Sequence, residues 1–105
     1  MKKIYIIGFL AMGLFIAGQA FAHTPLCSCW DNGDDTITCE GGFSDGSSAA
    51  GVIMKVTDSD GKVLINGKMN EDSEFTFKKP SVPYRVEFDA GEGHKIISKG
   101  EEILE

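Results

Sequence analysis

Three cysteines and two histidines are the residues of this chain that could carry chemistry. Cys27 and Cys29 are separated by a single serine, Cys39 follows ten residues after Cys29, and His23 and His94 lie towards the two ends of the segment that contains them. Thiols and imidazoles bind transition metals such as zinc and copper, and two thiols on neighbouring strands can form a disulfide. The sequence therefore raises two hypotheses, a disulfide staple and a metal site.

The staple hypothesis rests on how a hairpin would arrange the three thiols. Alternation along a strand places Cys27 and Cys29 on the same face, and the Asn-Gly pair in "DNGDD" favours a tight turn before Cys39. A bond from Cys27 to Cys39 centres the loop on Gly33, whereas a bond from Cys29 to Cys39 centres it on Asp34, and both registers are sterically reasonable. We therefore predict a disulfide between Cys39 and either Cys27 or Cys29, with one thiol left over.

The metal hypothesis rests on the same thiols together with His23. Three thiols on one face, with a histidine nearby, suit a soft or borderline ion such as Zn(II) or Cu(I). Cleavage after Ala22 would make His23 the first residue, so that its α-amine and its imidazole could chelate one ion together. We predict His23 and the unpaired thiol of Cys27 or Cys29 as ligands.

The first 22 residues have the features of a secretory signal peptide. Lys2 and Lys3 precede an uncharged apolar run, and "AFA" ends it with the small residues that signal peptidase requires. We predict cleavage after Ala22, a periplasmic or secreted bacterial protein, and no membrane anchor after cleavage. An oxidising compartment favours the disulfide, because cysteines exported there usually pair.

The charge balance argues against nucleic acid as a partner. Of the 10 basic and 16 acidic residues, only Lys2 and Lys3 lie in the predicted signal peptide, which leaves a formal charge of −8 on residues 23–105. Such a segment repels phosphate backbones and anionic membrane surfaces. Its small size allows one domain with a thin core, which a covalent staple would stabilise.

Short alternating runs between glycine-rich turns indicate strands throughout residues 23–105. We predict an all-β fold, a small antiparallel β-sandwich of about seven strands. Residues 23–43 would form a cysteine-containing hairpin and residues 44–105 the body of the sandwich, the two making one domain. Met69 is expected at the surface. The predicted core consists of Val52, Met54, Val56, Phe75, Phe77, Val86 and Phe88.

Part of the chain resembles known sandwich domains. The run "AGVIMKVTDSDGKVLINGKMNEDSEFTFKKP" followed by "YRVEFDAG" is similar to transthyretin-like, carboxypeptidase-regulatory-like domains. More narrowly, "EGGFSDGSSAAGV" with "YRVEFDAGEGHK" looks like the periplasmic domain of small accessory subunits in bacterial nickel and cobalt uptake transporters. That resemblance implies a metal-handling role and implies that His94 is a metal ligand. Without the resemblance, we would expect His94 to be an exposed histidine in a turn. The expected ion is Ni, Co, Cu or Zn, because imidazole suits all four.

No motif for catalysis accompanies these residues, so we expect a protein that is not an enzyme. The predicted function is an exported periplasmic binding or accessory module that handles a transition metal, with a membrane transporter or another exported protein as its partner. The alternative is a disulfide-stapled structural or interaction domain without a metal. A thiol-redox protein is a third hypothesis, although C-S-C differs from the C-x-x-C of thiol oxidoreductases.

Overall fold

A computed structural model describes residues 24–105 of the chain. The predicted signal peptide, residues 1–22, and the predicted ligand His23 lie outside the described residues. Within them the chain forms seven strands and one short 3-10 helix. Two antiparallel sheets contain these strands, which confirms the predicted all-β sandwich.

The first sheet has three strands in the order β1-β2-β5, and the second has four in the order β4-β3-β6-β7. The predicted hairpin, residues 23–43, supplies the first two strands of the three-stranded sheet. The bounds are β1 Pro25–Asp31, β2 Thr36–Phe43, β3 Ile53–Asp58, β4 Val63–Lys68, β5 Glu74–Lys78, β6 Tyr84–Asp89 and β7 Lys95–Lys99, and the 3-10 helix η1 is Gly100–Glu102. Because β2 lies between β1 and β5, the hairpin and the body share one sheet, and β1 is an edge strand.

Polar side chains shape the loop between β1 and β2. Asp31 accepts a hydrogen bond from the backbone N–H of Gly33 at 2.8 Å, and Asp34 accepts one from the N–H of Thr36 at 3.1 Å. Gly33 and Asp35 both have positive φ, 78° and 73°, which glycine adopts freely and aspartate tolerates. These contacts close a four-residue loop and determine the register of the hairpin.

The core lies between the two sheets and contains most of the residues predicted for it. Met54, Val56, Phe77, Val86 and Phe88 are buried, which confirms those five predictions. Val52 and Phe75 are only partly buried and pack against the same cluster. Tyr84, which alternation in "YRVEFDA" also placed inward, is buried as well. Other buried side chains, which the strand pattern did not predict, are Ile37, Cys39, Ala49, Met69 and Ile103.

Met69 corrects the prediction that this residue lies at the surface. Its exposed fraction is 3%. Its backbone N–H donates to the carbonyl of Val52 at 2.9 Å, and its Sδ would lie 2.7 Å from a Cβ placed on Gly41. Met69 directly follows the end of β4, where strand alternation no longer indicates which face a side chain occupies. Gly41 has no side chain, and the flexible thioether of Met69 fills the space that this leaves between the sheets.

Candidate metal centre of three cysteines

The hairpin register brings all three cysteines to the inner face of the three-stranded sheet. Cys29 lies directly opposite Cys39, and Cys27, two residues earlier in β1, lies opposite Gly41. Cys39 is fully buried, and Cys27 and Cys29 are partly buried against the core. The period of two along each strand therefore places the thiols on one face, as the sequence predicted.

The structure decides between the two predicted disulfides. Cys29 and Cys39 are bonded, with a separation of 4.0 Å between their Cα atoms, and Cys27 is the free cysteine. This pairing is the register centred on Asp34. A register with Cys27 directly opposite Cys39 is not the one that the loop contacts of Asp31 and Asp34 accompany, and Cys27 is instead a diagonal neighbour of Cys39.

The free thiol lies beside the disulfide. The Sγ atoms of Cys27, Cys29 and Cys39 all lie within 4.8 Å of one another. Burial raises the pKa of the Cys27 thiol to about 11, so that it is protonated at neutral pH. Among residues 24–105 these three form the only group of three or more close cysteine, histidine or acidic side chains.

His94 lies in the turn between β6 and β7 and does not belong to this group. Its Nδ1 lies 3.0 Å from the carbonyl oxygen of Glu92, which can only accept a hydrogen bond. Nδ1 therefore donates, and Nε2 keeps the lone pair that a metal ion would use. The predicted set of ligands thus separates in the described part of the chain into a cysteine cluster and an exposed histidine.

Hydrogen bonds show which end of the sandwich carries the His94 turn. At one end, the N–H of Asp31 at the end of β1 donates to the carbonyl of Leu104, which follows β7, at 3.0 Å. At the other end, the N–H of Ser44 donates to the carbonyl of Thr24 at 2.9 Å. The ring of Phe43, the residue before Ser44, lies 6.1 Å from the ring of Phe88, which is near the end of β6 and close to the His94 turn. Thr24, the first described residue, therefore shares an end with that turn, a question that the sequence left open.

An ion pair that the sequence did not predict joins the hairpin to the segment after β5. Lys79 Nζ lies 2.8 Å from Asp31 Oδ2. The hydrogen bond from Lys79, and a second from the N–H of Gly33, hold the pKa of the Asp31 carboxyl below its usual value. The pair closes the end of β1 that leads into the β1–β2 loop, and its partners are 48 residues apart, so no local pattern could have indicated it.

No protein-family model matches this chain, and neither a curated protein nor a solved structure matches it significantly. Over the described residues, no helix is long and apolar enough to cross a membrane.

Proposed function

We propose that this protein is an exported, non-enzymatic binding module that handles a transition metal ion through Cys27, Cys29 and Cys39. The ion binds after an external dithiol has reduced the Cys29–Cys39 bond, supplying two electrons and two protons and itself becoming a disulfide. The protein then delivers the ion to, or receives it from, a membrane transporter or another exported protein. The observation that carries the proposal is the separation of the three Sγ atoms, all within 4.8 Å. The predicted signal peptide and the resemblance to nickel and cobalt accessory subunits, both inferred from the sequence, support the same role.

The sulfur separations suit a shared ion. Two thiolates bound tetrahedrally to zinc at roughly 2.3 Å each lie about 3.8 Å apart. Reduction frees the Cys29 and Cys39 sulfurs to separate, and Cys27 Sγ already lies within 4.8 Å of both. Side-chain rotation can adjust the three sulfurs to this spacing while the paired strands keep their register.

The ligand type narrows the choice of ion. Three thiolates form a soft donor set, which selects Cu(I) and Zn(II) over ions that prefer oxygen. Nickel and cobalt, which the sequence resemblance implies, bind such a set less selectively. Cys27 and Cys29 pack partly against apolar core residues, which would limit the access of water to an ion held by their sulfurs.

The test uses the exported protein, purified, reduced and kept free of oxygen. Cu(I), Zn(II), Ni(II) and Co(II) are titrated separately by calorimetry, with thiolate-to-metal absorption as a second readout. We expect one ion per chain with a Kd below about 100 μM, and binding at least about tenfold weaker in Cys27→Ser. Ser28→Ala, an exposed neighbour of Cys27, should bind like the wild type.

The alternative, a stapled interaction domain without a metal, is favoured by the disulfide itself. Its Cys39 sulfur is fully buried, as expected of a purely structural bond. If the reduced protein binds none of the four ions, or if Cys27→Ser binds them as tightly as the wild type, the cysteines only stabilise the fold and the metal proposal fails.

A further inference from the structure

A free thiol lies within reach of the disulfide on the same face of the hairpin. Cys27 Sγ is within 4.8 Å of both bonded sulfurs, those of Cys29 and Cys39. A thiolate breaks a disulfide by attacking one of its sulfurs, and proximity on one hairpin makes that attack intramolecular. The oxidised protein therefore contains both reactants of an exchange reaction.

We propose that Cys27 exchanges with the Cys29–Cys39 disulfide and moves the bond to Cys27–Cys39. The Cys27 thiol gives its proton to solvent, and its sulfur forms a bond to Cys39 Sγ. The Cys29–Cys39 bond breaks at the same time, and Cys29 leaves with the electron pair and takes up a proton. One disulfide and one thiol are present before and after, so the step needs no oxidant or reductant.

Burial determines which sulfur is attacked. Attack on Cys29 would release a thiolate at Cys39, whose side chain is fully buried, and an unpaired charge in an apolar core is costly. Attack on Cys39 releases the thiolate at Cys29, which is partly exposed. Attack on Cys29 would also join two cysteines separated by one residue of the same strand, a strained product. Cys39 is therefore the sulfur common to both disulfides.

The product requires only a local adjustment of the hairpin. Cys27 and Cys39 are diagonal neighbours on one face, because Cys27 lies opposite Gly41, two residues beyond Cys39. Diagonal Cα atoms in a sheet lie roughly 7–8 Å apart, slightly more than the roughly 6.8 Å that a disulfide spans. Gly41 and Gly42 directly follow Cys39 and Glu40, and glycines allow the strand to bend by the small amount needed.

The exchange gives the protein two oxidised forms that differ in their free thiol. In one form Cys27 is available to a thiol-reactive partner, and in the other Cys29 is. Both forms keep the hairpin closed through Cys39, so the reactive thiol changes position while β1 stays attached to β2. This activity belongs to the oxidised protein and is independent of the proposed metal binding, which belongs to the reduced one.

The test is trapping by alkylation of the oxidised protein, with EDTA present and reductant absent. Native protein is held with excess iodoacetamide at mildly alkaline pH, then digested with pepsin in acid, where disulfides do not rearrange. Peptide mapping should find adducts on Cys27 with the Cys29–Cys39 bond, and adducts on Cys29 with the Cys27–Cys39 bond. Adducts on Cys27 alone would overturn the proposal.

Two variants provide the controls. Cys27→Ser should retain the Cys29–Cys39 bond and lose the Cys29 adduct completely, and an adduct that persists there would contradict the mechanism. Cys29→Ser should form the Cys27–Cys39 bond on oxidation, whereas a free Cys39 in that variant would show that the diagonal pair cannot bond. Because EDTA removes metal ions, failure of this experiment leaves the metal proposal standing, and the metal titration can fail without affecting this one.

Discussion

Cys29 lies directly opposite Cys39 across the β1–β2 pair, and their bond joins an edge strand to the central strand of its sheet. An edge strand has backbone hydrogen bonds on one side only, so it separates more easily than its neighbours. The bond therefore stabilises the strand that also carries the free thiol of Cys27.

Reduction should destabilise the protein. The Cys29–Cys39 bond encloses a short loop, and losing it should lower the free energy of unfolding by roughly 3 kcal/mol. Urea unfolding with and without a phosphine reductant measures the difference. Cys39→Ala, which cannot form the bond, should unfold at the same urea concentration in both conditions. An unchanged midpoint for the wild type would contradict the stabilising role.

Gly41→Ala should destabilise the protein because the added methyl group clashes with its neighbours. The adjacent variant Gly42→Ala introduces no such clash. A Cβ on Gly41 would lie 2.6 Å from a ring carbon of Phe88 and 2.7 Å from Sδ of Met69, whereas a Cβ on Gly42 would meet nothing closer than 3.9 Å. Overpacking of this kind costs roughly 1–3 kcal/mol. Thermal and urea unfolding of the two neighbouring variants give the comparison, and equal losses would mean that the sheets do not approach closely at Gly41.

Phe77→Ala should cost roughly 3–5 kcal/mol, because the ring is buried and leaves a cavity. Phe77 is 5% exposed and packs edge to face against Tyr84, with ring centroids 6.2 Å apart. Val82→Ala, at a side chain that is 47% exposed, is the control and should cost little. A loss below about 1 kcal/mol for Phe77→Ala would place that ring at the surface.

The Asp31–Lys79 pair should make stability depend on acid pH. The pKa of Asp31 is lowered in the folded protein, so its contribution is fully present above the pKa of the unfolded chain and is lost as pH falls through the folded value. Asp31→Asn should reduce stability at neutral pH and flatten its decline in acid. Lys79→Gln should have a smaller effect in the same direction, because the hydrogen bond from the N–H of Gly33 to Asp31 persists.

The measurement for that pair is urea unfolding across a pH series from neutral to strongly acidic. Asp60→Asn, in the exposed turn between β3 and β4, is the control and should decline in acid like the wild type. If Asp31→Asn keeps the full acid sensitivity of the wild type, other carboxyls account for it.

His94 remains a predicted ligand of a separate surface site. Its Nε2 is available for an ion, since Nδ1 donates to the Glu92 carbonyl. If the site exists, His94→Ala should weaken Ni(II), Co(II), Cu(II) or Zn(II) binding in the oxidised protein. Calorimetry on oxidised wild type and variant measures this, and equal affinities would exclude His94.

Local patterns in the sequence were sufficient for the strands and most of the core. Alternation in "VIMKVT", "EFTF" and "YRVEF" predicted Met54, Val56, Phe77, Val86 and Phe88 correctly, because a strand side chain points to one face or the other with a period of two. The same period placed Cys27 and Cys29 on a common face. These features depend on neighbours within a few residues, so the sequence by itself determined them.

Tertiary structure decided what depends on contacts between distant segments. The choice of Cys29 over Cys27 as the partner of Cys39 follows from the loop contacts of Asp31 and Asp34. The two registers differ by two residues and keep the same side chains on each face, so alternation cannot distinguish them. The burial of Met69 depends on a gap opposite Gly41 in the other sheet, and the Asp31–Lys79 pair joins residues 48 positions apart. Period and turn residues describe one strand at a time, whereas the hairpin register depends on two paired strands, the Asp31–Lys79 pair on a third strand of the same sheet, and the burial of Met69 on the packing of two sheets.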